Sequence, residues 1–267
     1  MSLSGLSQIN CELSSRCDKE PLCAMCGHQS SKVNVGLRYG DMDFHLLRVI
    51  AAQIPHGTIV QFHRDGDPLV YPALAEALDL FSHCIRSIVT HGGRLGDRAH
   101  DILGRCERVT VSVFEGDPAG PVQLEQVSQF LECRAASILP ALNIKIVGEM
   151  TAEGIQSWQR LGVPIIRRQL HHPAGDWRYR GSGPPIPEAM ICMDLLTHPS
   201  IDWEGNLYLC NRLQPKGEGK LGNLYASSLE ELWNGEARAA IIRQHVLMQR
   251  EQVPACRGCE FWGLPAG

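Results

Sequence analysis

No stretch of this 267-residue chain approaches the roughly 18 consecutive apolar residues that a membrane-crossing helix needs. The segment from Met1 to Ile9 lacks both the basic opening and the apolar run of a secretory signal. The expected location is therefore cytoplasmic, with no membrane partner. Basic charge is not in excess: the net charge is −4, whereas a nucleic-acid surface is basic, so no nucleic-acid partner is expected. Internal repeats and low-complexity segments are absent. The remaining composition, 44% hydrophobic and 20% charged, can build a substantial core. The length suits one large domain, or one domain with a small appendage.

Cysteine is what the chain has in quantity, with eleven. Cytosolic thiols are kept reduced, so disulfides explain them poorly. Clustered cysteines in such a protein point to metal ligands or catalytic groups. Cys17, Cys23 and Cys26 form one group, and Cys192, Cys210, Cys256 and Cys259 a second. Cys11, Cys84, Cys106 and Cys133 are scattered.

Between the groups, strand and helix signals alternate. Strands are expected at Gln8 to Ser14, Thr58 to Phe62, Ser87 to Thr90, Val109 to Phe114, Ile144 to Val147 and Val163 to Gln169. Helices are expected at Met42 to Ile54, Pro72 to Phe81, Leu95 to Leu103, Val122 to Cys133 and Ala152 to Leu161. Such alternation implies right-handed βαβ units and a parallel sheet, with ligands at the carboxyl ends of the strands. Asp176 to Pro187, rich in Gly, Pro and Arg, reads as a linker. Beyond it come short strands at Ser200 to Trp203 and Asn206 to Leu209, a turn at Glu204-Gly205, and one or two helices.

The first group, CDKEPLCAMC, offers three local thiolates. They can hold three irons of a cubane [4Fe–4S] cluster and leave the fourth iron open to a small molecule. A zinc site with Cys11 as fourth ligand, or a set of buried thiols, is the plainer alternative. The second group supplies four thiolates, enough to close a cubane or to hold a structural zinc.

In chain order, several stretches resemble the radical S-adenosylmethionine (SAM) superfamily. INCELSSRC looks like its first strand running into the cysteine motif, although five residues rather than the usual three separate Cys17 from Cys23. DGDPLVYP, Asp65 to Pro72, is similar to the GGEP motif, THGG (Thr90 to Gly93) to TNG, and VSVFEGDP (Val111 to Pro118) to VSIDG. The resemblance implies that Met25 packs beside the SAM adenine. It implies that Asp65, Gly66, Asp67 and Pro68 lie at the SAM amine, and it places Thr90 and Ser112 at the cofactor, Ser112 by the ribose or carboxylate. SIDWEGNLYLC, KLGNLYASSLEELWNG and PACRGC resemble the SPASM/Twitch appendage of such enzymes, in its shorter one-cluster form.

The fold so implied is a partial (β/α)6 barrel over residues 1–175, a linker at 176–190 and a small α+β auxiliary-cluster domain over 191–267. The cofactors implied are SAM and two [4Fe–4S] clusters. The expected activity is that of a radical SAM oxidoreductase: hydrogen abstraction by a 5′-deoxyadenosyl radical, then two-electron oxidation of a small molecule or short peptide. A protein such as flavodoxin or ferredoxin would supply the initiating electron. Arg167, Arg168 and Glu149 are the leading candidates for the base, with His171 and His172 beside them. Radical epimerisation through one of the scattered thiols, peptide maturation, and a zinc-binding structural role are the competing expectations.

Overall fold

The computed structural model describes residues 3, 5–20, 38–114, 116–135, 137–168, 191–211, 219–257 and 259. The expected 176–190 linker lies outside them. The βα alternation runs β1 (Gln8–Cys11), α1 (Phe44–Ala51), β2 (Ile59–Phe62), α2 (Leu74–Leu80), β3 (Ile85–Thr90), α3 (Ala99–Ile102), β4 (Arg108–Phe114), α4 (Gly120–Arg134), β5 (Ala141–Val147), α5 (Ala152–Gln159) and β6 (Ile165–Arg168). Neighbouring strands from β1 to β6 all pair in parallel.

Two boundaries differ from the sequence expectation for local reasons. β1 stops at Cys11 because the chain leaves β2 and turns to residues 40–42. There the Leu13 and Gly40 carbonyls accept from Met42 and Ser15. α1 starts at Phe44 because the Asp43 carboxylate caps it, accepting from the Leu46 amide.

The C-terminal part contributes α6 (Met193–Thr197), β7 (Ser200–Ile201), β8 (Asn206–Tyr208), β9 (Lys220–Asn223), α7 (Leu229–Trp233), α8 (Glu236–Val246) and α9 (Pro254–Arg257). β7 pairs in parallel with β1, and β8 and β9 follow antiparallel, so one sheet runs β6-β5-β4-β3-β2-β1-β7-β8-β9. The tight turn before β8 uses Gly205 at φ +80, in the left-handed region that glycine occupies without strain. The edge of the βα sheet is thereby hydrogen-bonded to the appendage.

Alternate strand residues face the helices and form the main core, among them Ile9, Val60, Ile88, Val111 and Ile144. The other face is polar. Asn10, Glu12, Ser87, Thr110, Ser112 and Asn143 lie on it and are nonetheless buried. Buried parallel strands ordinarily read as near-continuous apolar runs, so polar residues on every second position mark a wall built for something other than a helix. Lys145 on β5 is close enough to His63, just after β2, for its charge to act on that ring. In a flat sheet those strands would stand about 14 Å apart. The sheet therefore curls, and the polar face is the inner wall of a partial barrel.

Candidate functional site

Four loops meet at the carboxyl ends of β1 to β4, and the loop after β1 is the one that carries Cys17. Gly66, after β2, lies against it: a Cβ there would stand 2.2 Å from the Ser14 carbonyl oxygen and 2.6 Å from that of Arg16. Only glycine allows this approach, and the Asp67 amide then donates to the Arg16 carbonyl at 2.9 Å. The cysteine loop thus leaves β1 fastened to the motif after β2.

The carboxylates of that motif have different duties. Asp67 is 2% exposed; its carboxylate accepts from the Leu69 amide (2.9 Å), the Thr90 hydroxyl (2.7 Å) and the His91 amide (2.8 Å). Thr90 in turn accepts from the Gly92 amide at 2.8 Å. Both side chains, expected at SAM, lock the loops after β2 and β3 together. An ionised carboxylate has about four acceptor positions, and three are taken on Asp67. Asp65 is the half-exposed carboxylate, 3.4 Å from the Arg64 guanidinium, while Pro68 is buried at the start of a short 3-10 turn. Ser112 sits on the inner wall, with no hydrogen bond to its hydroxyl among the described residues. Cys23, Cys26, Met25, His171 and His172 lie outside the described residues.

A buried charge network joins this rim to the appendage. The Glu12 carboxylate accepts from the Asp65 amide (2.9 Å) and, from the β7–β8 turn, the Trp203 amide (3.1 Å). Arg64 lies 3.8 Å from Glu12 and 4.0 Å from Asp202, with its guanidinium 4.5 Å from the centre of the Tyr208 ring. Burial, then the charge of Asp65, push the Glu12 carboxyl up to about 7 against the pull of Arg64 and the amide donors. Replacing Glu12 with alanine leaves Arg64 and those amides without their shared acceptor. A loss of about 3–5 kcal/mol in folding stability is expected, against a small loss for Glu12→Gln, measurable by chemical denaturation.

The second cysteine group converges. Cys192 stands just before α6, Cys210 follows β8, and Cys256 lies in α9. The three pack into one small cluster with Leu195, Leu209 and Val253, separate from the main core. Burial, then the neighbouring Cys192 and Cys259 thiols, push the Cys256 thiol up to about 12. That is the effect expected where several thiols share a pocket, and the nearby Arg250 guanidinium offsets only part of it. No disulfide forms among the described residues. The Arg250 guanidinium donates to the Cys256 and Cys259 carbonyls at 3.1 and 3.2 Å, fixing the CxxC turn. Buried Arg238 donates to the carbonyls of Leu195, Leu196 and Trp233, tying α6 to the helices behind it. Four convergent thiols fit a fully ligated cubane cluster.

The base candidates separate clearly. Arg167 alternates to the helix side of β6 and is exposed, so it does not reach the inner wall. Glu149 is exposed in the loop after β5. Arg168, also exposed, differs in register: it lies on the inner-wall side at the end of β6, paired with Val147. Sequence reasoning missed Lys145, whose register partner is Ser112. Burial, then the charges of Arg168 and Arg108, push its ammonium down to about 8. Burial, then Lys145 and His198, push the His63 ring down to about 3, so it stays neutral at working pH. The signal was legible in NIKIV, residues 143–147, where polar residues alternate with isoleucine inside a buried strand.

A parallel βα sheet with a polar inner face is thus continued into a C-terminal region where four thiols converge. Residues 192–260 match the SPASM family model, an iron–sulfur cluster-binding domain. Among solved structures, BtrN in complex with AdoMet and 2-DOIA aligns at TM-score 0.62 with 14% identity, over 95% of this chain and 92% of that one. SuiB of Streptococcus suis bound to S-adenosylmethionine aligns at 0.61 with 12% identity, over 97% of this chain and 71% of SuiB. SuiB bound to its precursor peptide SuiA aligns at 0.59 with 13% identity. No curated protein matches the sequence. No helix among the described residues is long and apolar enough to cross a membrane.

Proposed function

We propose that the protein is a radical SAM dehydrogenase acting on an alcohol carbon of a small molecule. In this reading Cys17, Cys23 and Cys26 hold the cluster that binds SAM, and Cys192, Cys210, Cys256 and Cys259 hold the auxiliary cluster. When bound, the first cluster and SAM supply a 5′-deoxyadenosyl radical for hydrogen abstraction, and the auxiliary cluster supplies a one-electron acceptor. Asp65, Gly66 and Pro68 would lie at the SAM amine, and Ser112 at its ribose or carboxylate. Asp67 and Thr90 position that motif. The initiating electron comes from a flavodoxin- or ferredoxin-type donor.

The chain's own contribution to the oxidation is a proton acceptor. Lys145 holds that role best: it sits on the inner wall beside Ser112, and its lowered pKa makes a neutral amine accessible near pH 8. Arg168 lies one strand away, where it can orient an oxygen of the substrate.

The observation that carries the reading is where the thiols lie. Four are gathered in a domain whose first strand pairs with β1, the strand that leads to Cys17. The unassigned ones are turned away from the inner wall. Cys11, Cys84 and Cys106 are in the helix-side core, and Cys133 is exposed on α4. Among the described residues no thiol is placed to return a hydrogen atom, which supports oxidation over epimerisation. The BtrN structure, aligned over nearly its whole length, holds the small molecule 2-DOIA, which supports a substrate of that size.

The test is anaerobic turnover with SAM, dithionite and C-deuterated cyclitol alcohols, with short peptides as the competing set. One deuterium should pass into each 5′-deoxyadenosine, and the product should be two hydrogens lighter. Recovery of an epimer of unchanged mass, or reaction of the peptides alone, would replace this reading.

A further inference from the structure

The loop from Cys17 is longer than the usual spacing, and its extra residues are not idle. The Asp18 carboxylate is 3.2 Å from His91 Nε2 and 3.5 Å from Arg94 Nε, both in the loop after β3. Lys19 Nζ is 2.7 Å from Asp117 Oδ1, in the loop after β4. That second pair is almost fully enclosed, with side chains 2% and 4% exposed. Through Arg16 the same loop is tied to Asp67, after β2.

The His91 ring is held from both sides: the Gly93 amide meets Nδ1 at 3.1 Å and Nε2 faces the Asp18 carboxylate. Asp117 also accepts from the Ala119 amide at the start of α4, which ties it to a helix as well as to Lys19. The Cys17 thiol lies within 4.8 Å of both the Asp18 carboxylate and a His91 ring nitrogen.

A buried ion pair is a poor source of net stability, because desolvation offsets most of its attraction, but it fixes geometry and its loss is felt. Here the geometry it fixes is that of the cysteine loop against the loop after β4, the strand that carries Ser112. We propose that Asp18 and Lys19 are positioning residues: a two-point clamp that sets the first cluster against the SAM-binding rim. The proposal rests on the assignment of Cys17 as a cluster ligand.

The test compares the anaerobically assembled wild-type protein with the Lys19→Met, Lys19→Arg and Asp18→Ala variants. Three readouts are taken: the change in the reduced-cluster EPR signal on adding SAM, 5′-deoxyadenosine formed without substrate, and amide deuterium exchange of residues 12–20 in metal-free protein. Lys19→Met should blunt the EPR response, slow SAM cleavage by on the order of 10- to 100-fold, and speed exchange in the loop. It should leave the auxiliary cluster in place. Lys19→Arg should recover most of the EPR response, and Asp18→Ala, which breaks the more exposed contact, should give a smaller effect of the same sign. Unchanged loop exchange in the metal-free Lys19→Met protein, or a normal EPR response to SAM, overturns the clamp. If the wild type binds iron only at its C-terminal thiols, the cluster assignment fails instead, and the metal-free exchange still decides whether the clamp exists.

Discussion

Alanine in place of Cys210 should leave the protein cleaving SAM and unable to oxidise its substrate. Cys210 is 8% exposed and belongs to the small buried cluster that includes Cys256 and against which Cys192 packs, so its removal opens one corner of the four-thiol site. Iron should fall from about eight to about four per chain, the content of one cubane. Reductive formation of 5′-deoxyadenosine depends on the other cluster and should continue. The substrate radical then has no internal acceptor for its electron, and ketone formation should cease. Cys259→Ala, at a half-buried position, should show the same split and guards against misfolding of the Cys210 variant. Were the site a structural zinc, either substitution would release zinc and leave the iron content untouched.

Methionine in place of Lys145 should have the second-largest effect, and its sign with pH is specific. A base must be neutral to accept a proton. An ordinary exposed lysine becomes so only above pH 10, whereas Lys145 is held down to about 8 by burial and by Arg168 and Arg108. The groups around it are cationic or neutral: Arg108 on β4, Arg168 on β6, and His63 and His198 across the wall. Product formation in the wild type should therefore rise about tenfold per pH unit up to about 8 and then level off. Lys145→Met should lower it by about 10²- to 10⁴-fold, flatten the pH profile, and still form 5′-deoxyadenosine. Lys145→Arg, charged at every working pH, should be as poor a base as methionine. A Lys145→Met protein with wild-type oxidation and an unaltered profile moves the base elsewhere on the wall.

Much of this was readable from the chain. The βα alternation appears because apolar strand runs of 4–7 residues are punctuated by Pro, Gly and helix caps, as at Pro55 and Gly57 after α1. The convergence of the second cysteine group was legible in its closing CxxC and in the SPASM-like stretches around it. The distribution of duties within a short motif was not. DGDP presents two carboxylates, and only the structure shows that Asp67 turns inward to Thr90 and His91 while Asp65 stays half exposed. Arg64 carries no signal in the sequence, because its partners Glu12 and Asp202 lie far away along the chain. Arg167 and Arg168 looked equivalent as neighbours, yet the two-residue period of a strand sends them to opposite faces. The pairing of β7 with β1 was hidden for a similar reason: nothing in a two-residue strand states which edge it will join.

The pairing has a mechanical consequence. Asn10 pairs with Ser200 in the β1–β7 register, and its side-chain carbonyl meets the His198 ring at 2.5 Å. The strand feeding Cys17 and the hairpin feeding Cys210 are thereby joined by backbone and side chain alike. Glu12, Arg64 and Asp202 repeat the link at the rim. The strand leading to Cys17 and the hairpin leading to Cys210 are thus held together by sheet hydrogen bonds and buried charge.

EPR spectroscopy of the anaerobically assembled, dithionite-reduced protein, recorded with and without SAM, probes all of this at its root. Two cluster signals are predicted, one of which shifts on adding SAM and disappears in a Cys17→Ala protein, while the other is indifferent to SAM and disappears in Cys210→Ala. A single signal that ignores SAM, or a colourless protein carrying zinc, contradicts the account.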